Sequence, residues 1–424
     1  MYLRKGIVWI AFLCTGLPVC FAEQPQQPTD YKTFLEQVWK QNLIYVAEKL
    51  NMDIAEAGVK AAKVFNDPVL SVEYADNDER RLQMGRSISV ELSKTFSFGK
   101  RNARIDLARS EKELNDLLLE DYFHRLRAEA TLTYLEALKQ AELYALRENS
   151  YGNILRLAEA DSIRFMLGQI TGVDATQSRL EVEKAANDLL QAHTEMLNAY
   201  AALSLWTGVS EVNVLYAPAG KLRPQERLFD SNRMVQTALE NRADLAAALK
   251  SVDVARKELK VMQRERNTDV DVALGYNYNT KVRNEIAPAP QFNGITLGVA
   301  VPLKFSNTNK GAVRAADLRR QQAELNYRQA ELEVQTSVMQ SLRQYASLLE
   351  QVKHFETGML DKARAILDGK IYSYERGETS RLEVLIAQQT SDELRASYIE
   401  TIFNSLTALV ELERNAGIWD IVIE

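Results

Sequence analysis

The chain is written twice. Phe96-Ser97 returns as Phe305-Ser306, Gly168 as Gly377 and Gly208 as Gly417, each pair 209 residues apart. Between those marks Glu113-Leu114-Asn115 returns as Glu324-Leu325-Asn326, and Tyr134 as Tyr345, at a spacing of 211. Upstream, Met52-Asp53-Ile54-Ala55 aligns with Val252-Asp253-Val254-Ala255, and Leu70 and Val72 align with Val270 and Val272. A unit of about 200 residues is far longer than the roughly 20–50 of a solenoid repeat. The pattern points to a duplicated half-barrel.

Each copy contains a rod. Between Gly99 and Arg164 there is no proline and a single interior glycine, Gly152. Leu114, Leu118, Tyr122 and Leu126 fall four apart, and Leu132, Leu135, Leu138, Tyr151, Leu155 and Ala158 continue with three-and-four spacing, the signature of an amphipathic helix. At 1.5 Å per residue, some 65 residues make a rod of about 100 Å. A globular core cannot cover that length, so the rod must pack lengthwise as a coiled coil. The chain turns at Phe165-Met166-Leu167-Gly168-Gln169-Ile170-Thr171 and returns through Leu180, Ala185, Leu189 and Leu197 to Trp206-Thr207-Gly208. This return is only about half as long, and a helix over 30–65 is expected to supply the missing half. The second copy repeats the scheme with a rod over 317–370, a turn at Tyr374-Glu375-Arg376-Gly377-Glu378, a return to Gly417 and an upper helix over 232–263.

Four segments alternate with period two. Leu70, Val72 and Tyr74 oppose Ser71 and Glu73; Ile88, Val90 and Leu92 oppose Ser87, Ser89, Glu91 and Ser93. Val270, Val272, Leu274, Tyr276 and Tyr278 oppose Asp269, Asp271, Ala273, Gly275 and Asn277, and Leu297, Val299 and Val301 oppose Thr296, Gly298 and Ala300. Alternation of this kind fits a half-buried soluble sheet and equally a membrane barrel with a wet lumen. The polar hairpin tips, Asp76-Asn77-Asp78-Glu79-Arg80-Arg81 and Lys281-Val282-Arg283-Asn284-Glu285, favour the barrel. Four strands cannot close one, since the smallest membrane barrels use about eight and open edges are not tolerated in lipid. Several copies must share one barrel.

The N-terminus reads as an export signal. Arg4 and Lys5 precede an apolar run from Ile7 to Leu13, and Cys20-Phe21-Ala22 ends it, the order a signal peptidase recognises. About ten apolar residues are too few to cross a bilayer, which takes roughly 20. A lipid-anchor reading through Cys20 meets a bulky Val19. Both cysteines, Cys14 and Cys20, lie in this segment, so the mature chain is expected to have neither disulfide nor thiolate metal site. Without Arg4 and Lys5, 50 basic residues face 58 acidic ones, a net charge of −8, which argues against a nucleic-acid partner. The expected organisation is a signal peptide over 1–22; a first repeat over 23–208, with a strand hairpin at 68–96 and a helical hairpin at 99–207; and an inter-repeat segment over 209–230. A second repeat follows over 231–417, with a strand hairpin at 269–305 and a helical hairpin at 311–416, and then a tail over 418–424. The fold class is mainly α with a transmembrane β part.

Taken together, these features resemble the TolC family of outer-membrane efflux channels. The likeness covers nearly the whole mature chain and is most specific at the helix starts, Phe98-Gly99-Lys100-Arg101 in the first repeat and Val301-Pro302-Leu303 with Asn307-Thr308-Asn309-Lys310-Gly311 in the second. The Gly-Lys-Arg element is similar to that of the CzcC-like and CusC-like branch, which serves cation exporters of the resistance-nodulation-division (RND) type. The resemblance implies a homotrimer in the outer membrane of a Gram-negative bacterium. Four strands from each of three copies make a lipid-facing barrel of 12, continued into the periplasm by a barrel of long helices. It implies a periplasmic adaptor protein and an inner-membrane RND pump as partners, no cofactor and no chemistry of the channel's own.

Candidate sites lie at the helical turns. Gly168 and Gly377 fit left-handed cap positions, and such tips are where the resemblance places the adaptor. Asp174 and Glu383 match acidic residues that line the family's periplasmic aperture, where three copies of Glu383 would form an anionic ring. The simpler role for both is an acid favoured by a helix N-terminus. The family holds its aperture closed through an arginine two residues after the turn glycine, but this chain has Thr379 there. Arg376 and Arg381 flank the position as substitutes, and Tyr374 matches a tyrosine of the same network. His124, His193 and His354 are solitary and show no metal-ligand spacing. No phosphate loop or nucleophile elbow is present. Trp39, Trp206 and Trp419 fall outside the strands and read as packing residues. Two other functions share this architecture: the exit duct of a type I protein-secretion system, and a soluble periplasmic coiled-coil scaffold.

Overall fold

The computed structural model describes residues 26–76, 84–208, 215–303 and 309–423. The expected signal peptide, the tip of the first strand hairpin and Asn307-Thr308 lie outside the described residues. In chain order the elements are β1 (Gln26–Thr29), α1 (Tyr31–Gln41), α2 (Leu43–Ala62), β2 (Val69–Asp76), β3 (Arg86–Phe96), α3 (Lys100–Met166) and α4 (Gly172–Thr207). The second half runs β4 (Leu215–Pro218), α5 (Ser231–Asn241), α6 (Ala243–Arg264), β5 (Val270–Asn279), β6 (Phe292–Ala300), α7 (Lys310–His354), α8 (Leu360–Glu375) and α9 (Arg381–Ala416).

The strand pattern folds as one antiparallel sheet in the order β2-β3-β5-β6. Its register places Leu70, Leu92, Leu274 and Leu297 side by side on one face, with Ser71, Glu91, Gly275 and Thr296 beside them on the other. One face is therefore an apolar band and the other is polar or small. Among the described residues β2 and β6 each pair on one side only.

α3 is a single helix of 67 residues, about 100 Å at 1.5 Å per residue. Gly99 at φ 75 starts it and Leu167 ends it. The interior of the molecule lies near its mid-length, where α1 packs on α3 through Phe34, Val38, Tyr134 and Leu135, all buried. Each such side chain contributes about 1.5–3 kcal/mol by leaving water. The repeat is visible in its polar anchors as well. The Tyr134 hydroxyl reaches the Thr29 and Ala219 carbonyls at 2.9 and 2.7 Å. Its counterpart, the Tyr345 hydroxyl, donates to the Gln225 carbonyl at 2.5 Å and accepts from the Arg227 N–H at 3.0 Å. Glu413, fully buried, accepts from the Asp420 and Ile421 N–H groups at 2.9 and 3.0 Å and pairs with Arg227, so the tail is tied to the inter-repeat segment. Burial outweighs these partners and raises the Glu413 carboxyl above its ordinary value. Trp419 lies under the Arg127 guanidinium at 4.0 Å.

Three helices expected to be continuous are broken. The upper helix of the first repeat stops at Asn42, which is extended at φ −61, ψ 116 and caps α2 by accepting from the Tyr45 N–H at 2.9 Å. The second-repeat equivalent stops at Arg242, also extended, whose guanidinium bridges Asp244, Ser337 and the Asn415 carbonyl. Both breaks make room for the end of a returning helix. A Cβ on Gly208 would stand 2.4 Å from the Gln41 carbonyl oxygen, and one on Gly417 would stand 3.2 Å from Asn241. The second rod is interrupted by a π-turn at Phe355–Met359, with Gly358 at φ 104. No such turn occurs in α3.

Candidate functional site at the helical tips

Both helical hairpins turn in the same way. Helix α3 ends with the Gly168 N–H on the Phe165 carbonyl at 2.9 Å and the Gln169 N–H on the Arg164 carbonyl at 2.8 Å. At the second tip the Gly377 N–H reaches the Tyr374 carbonyl at 3.0 Å and the Glu378 N–H reaches the Ser373 carbonyl at 2.9 Å. Gly168 and Gly377 have φ of 69 and 76, and a Cβ on either would meet nothing within 4 Å. Glycine is thus needed for its backbone angle and not for space.

Each returning helix then begins with a hydroxyl cap. Thr171 and Asp174 form a reciprocal capping box, and the Thr171 hydroxyl, ahead of its backbone N–H, holds the Asp174 carboxyl below the usual carboxylate range. Ser380 caps α9 at the Glu383 N–H. Glu383 pairs with Lys370 across the α8–α9 hairpin, and that ammonium is the largest cause lowering its pKa. The acidic residues at both tips therefore hold the helix-start positions that dipole and capping favour.

Between the two tips lies a cleft of about 560 Å³ lined by Asp161, Arg164, Asp174, Tyr374, Arg376 and Arg381, among others. Asp161, fully buried, is its centre. Its Oδ2 accepts from the Ser178 hydroxyl at 2.5 Å, and its Oδ1 accepts from the Tyr374 hydroxyl. The Arg381 guanidinium stands 3.1 Å from Oδ2 as an ion pair, off the line of a hydrogen bond. Burial first, and the neighbouring carboxylate second, raise the Tyr374 phenol above its ordinary value, so it stays protonated and donates. Arg164 lies over the Tyr374 ring at 4.4 Å and donates to the Tyr374 and Glu375 carbonyls at 2.9 and 3.2 Å. The first tip and the second are thereby fastened inside one chain.

Of the residues singled out from sequence, the structure brings Tyr374 and Arg381 onto a common partner. Asp174 and Arg376 line the same cleft without touching Asp161; Arg376 lies instead over the Tyr372 ring at 4.2 Å. Glu383 and Lys370 border a separate, smaller cleft with Ile366 and Ile386. Sequence reasoning missed Asp161, Arg164 and Ser178. The readable signal was Asp161 itself, which falls three residues after Ala158 on the apolar track and is a charge where a packed residue belongs. Among the described residues no group of three or more His, Cys, Asp or Glu is placed to hold a metal ion. No helix there is long and apolar enough to cross a membrane.

Residues 234–417 match the family described as outer membrane efflux protein. The chain is 24% identical over 412 residues to the cobalt-zinc-cadmium resistance protein CzcC of Cupriavidus metallidurans, covering 95% of this chain and 93% of that one. The fold is similar to the crystal structure of CusC, with a TM-score of 0.74 at 17% identity and 92% of each chain covered. It is also similar to the CmeC outer membrane channel of Campylobacter jejuni, with a TM-score of 0.75 at 14% identity over 91% of this chain and 85% of that one. With its duplicated rods and its four-stranded sheet, the chain has the fold of these outer-membrane channel structures, is similar to CzcC over nearly its whole length, and matches the outer membrane efflux protein family over residues 234–417.

Proposed function

We propose that the chain is a passive conduit across the outer membrane, the outermost component of a three-part efflux machine. It assembles as a homotrimer, and an inner-membrane RND pump and a periplasmic adaptor drive it. Its role is transport and not catalysis. One observation carries this reading: a four-stranded sheet whose exposed apolar row, Leu70, Leu92, Leu274 and Leu297, stands at one end of a rod of about 100 Å. Among the described residues both edges of the sheet lack a partner strand, and such edges survive in lipid only when a barrel is closed. The likeness to a cobalt-zinc-cadmium resistance protein supports divalent heavy-metal cations as cargo. The test is deletion of the gene, followed by growth on cobalt, zinc and cadmium and by bilayer conductance of the purified trimer. Unchanged metal tolerance removes the cargo assignment, and a chain that forms no pore removes the channel.

The tips are the inner end of this conduit. Asp161, Tyr374 and Arg381, braced by Ser178 and Arg164, act as a closing latch between the two hairpins. Gly168 and Gly377 mark the exposed turns that receive the adaptor, and Asp174, Arg376 and Glu383 border the aperture. Because Glu383 is paired with Lys370, an anionic ring at this level forms only when that pair parts.

A further inference from the structure

One position interrupts the apolar row of the sheet. On β3, Leu92 and Phe96 lie on the apolar face, and between them stands Lys94, in register with Val272 of β5. Side chains alternate along a strand, so Ser93 and Thr95 take the polar face and Lys94 leaves the sheet on the apolar one. Among the described residues its ammonium has neither a hydrogen-bond acceptor nor an ion-pair partner. It lies 4.8 Å from the centroid of the Phe65 ring and 5.8 Å from that of Phe96, within reach of a cation–π contact. The two phenylalanines are 57% and 45% exposed, and Val64 and Phe98 beside them are exposed as well. An ammonium has three donors and accepts nothing, and ring faces leave its charge uncancelled. The Gly99-Lys100-Arg101 element fixes this corner. Gly99 at φ 75 turns the chain from β3 into α3, buried Lys100 pairs with Asp269 at 2.7 Å, and Arg101 donates to the Lys63 carbonyl at 2.9 Å. Lys63 is the C-cap of α2, so Arg101 secures the stretch from which Phe65 reaches Lys94. With Lys100 paired, Lys63, Lys94 and Arg101 remain over 63–67 and 94–101 against a single acid, Asp67.

We propose that this corner is a phospholipid site: the Lys94 ammonium, flanked by Phe65 and Phe96, holds the headgroup phosphate of one lipid of the periplasmic leaflet, whose chains lie along Leu92, Leu70 and Leu274. The inference rests on the channel reading above, which puts the apolar row in lipid, and says where one lipid is held. The position suits the task. Lys94 comes two residues before the end of β3, about 7 Å of strand, at the end of the sheet that leads into α3. A lysine on a lipid-facing strand is costly at the bilayer midplane and nearly free at its edge, where its stem lies along apolar surface and its head reaches the phosphate level. A phosphate supplies what the rings lack, a full negative charge and acceptor oxygens. Leu92 and its register neighbours Leu70 and Leu274 continue the same face into the apolar row, so the occupant has to be at home in lipid along its whole length.

The test is native mass spectrometry of the full chain released from detergent in the presence of phosphatidylglycerol. The expected result is trimers that retain the lipid, saturating at one molecule per chain. Lys94→Gln should weaken retention about fivefold, the effect of one basic residue at a lipid surface, and Lys94→Arg should keep it. Lys281→Gln, beyond the opposite end of β5, should bind as the unmodified chain does. The inference is overturned if Lys94→Gln trimers retain the lipid as well as unmodified ones, or if Lys281→Gln loses as much. It is also overturned if inorganic phosphate displaces the lipid, which would make the corner a site for the free anion. If the unmodified chain yields only monomers and conducts nothing, the channel reading itself fails. Should Lys94→Gln not assemble, unmodified trimers are offered a diacylglycerol with the same chains: preference for phosphatidylglycerol supports the inference, and equal retention overturns it.

Discussion

The latch at the tips makes a quantitative demand on Asp161. Replacing it with Asn keeps the shape and leaves one carbonyl oxygen, but it removes the charge that both the Tyr374 hydroxyl and Arg381 meet. A hydrogen bond to a charged group contributes about 1.5–3 kcal/mol and a neutral one about 0.5–1.5. Tyr374 meets Oδ1 and Arg381 stands at Oδ2, so the contact that keeps the amide oxygen weakens by about 1 kcal/mol and the one that loses its acceptor by at least about 1 kcal/mol; together that is about 2 kcal/mol or more, about a 30-fold shift or larger in a two-state equilibrium. Asp161→Ala goes further, because it leaves Arg381 beside an empty site; breaking a buried ion pair from one side costs about 3–5 kcal/mol. If the latch holds the conduit shut, D161N raises its open fraction in planar bilayers by about an order of magnitude, and D161A raises it more. Tyr374→Phe should open it partly, and combined with D161N it should add less than its separate effect, because the two residues share one contact. Wild-type conductance in both Asp161 variants, measured on intact trimers, would refute the latch.

Three further outcomes are expected. Glu383→Gln should lower cation selectivity in bilayer conductance, and unchanged selectivity discards the ring. Because Lys370 lowers the Glu383 pKa, the pair stabilises the tip above the ordinary Glu value and is lost as pH falls through the lowered one. Hydrogen exchange over 370–383, corrected for intrinsic rates, should show this acid step in the wild type and not in E383Q. Glu413→Ala takes the acceptor from two N–H groups and from one arm of Arg227, which keeps Asp420 at 3.3 Å, so unfolding of the detergent-solubilised protein should reveal a loss of about 2–4 kcal/mol, about 1–3 for each buried group left unpaired; a change below about 1 kcal/mol would show that the tail does not depend on it. Gly208→Ala and Gly168→Ala share a left-handed backbone, which costs about 1–2 kcal/mol, but only the former drives a Cβ to 2.4 Å from a carbonyl oxygen. Thermal unfolding should rank G208A clearly below G168A, and equal melting points would contradict the close approach.

Periodic features were legible in the sequence because they repeat. The rods follow from apolar residues every three or four positions, and the strands from alternation confined to short runs. The breaks were hidden because the apolar spacing runs on across Asn42 and Arg242. What interrupts each helix is the arriving end of another helix, marked by Gly208 or Gly417 more than 160 residues away. Gly358 lies within the rod expected over 317–370, and a single glycine there does not by itself announce a φ of 104. At the tips the glycines and hydroxyl caps were readable, since turn chemistry is local. Asp161 was legible only as a charge on the apolar track, and beside Glu159, Arg156 and Arg164 it looks like helix surface until the second tip lies against it.

The unbroken α3 and the interrupted α7–α8 make the two halves of one duplicated design mechanically unequal. A force on α3 works against an unbroken backbone ladder over its 67 residues. A force on the second limb finds a joint at Gly358, where the ladder lapses and only the tip of Lys362 comes within 4.0 Å of a Cβ position. Of the two long rods among the described residues, only the second carries such a joint, so α3 is built as a stiff post and the second limb as a jointed arm.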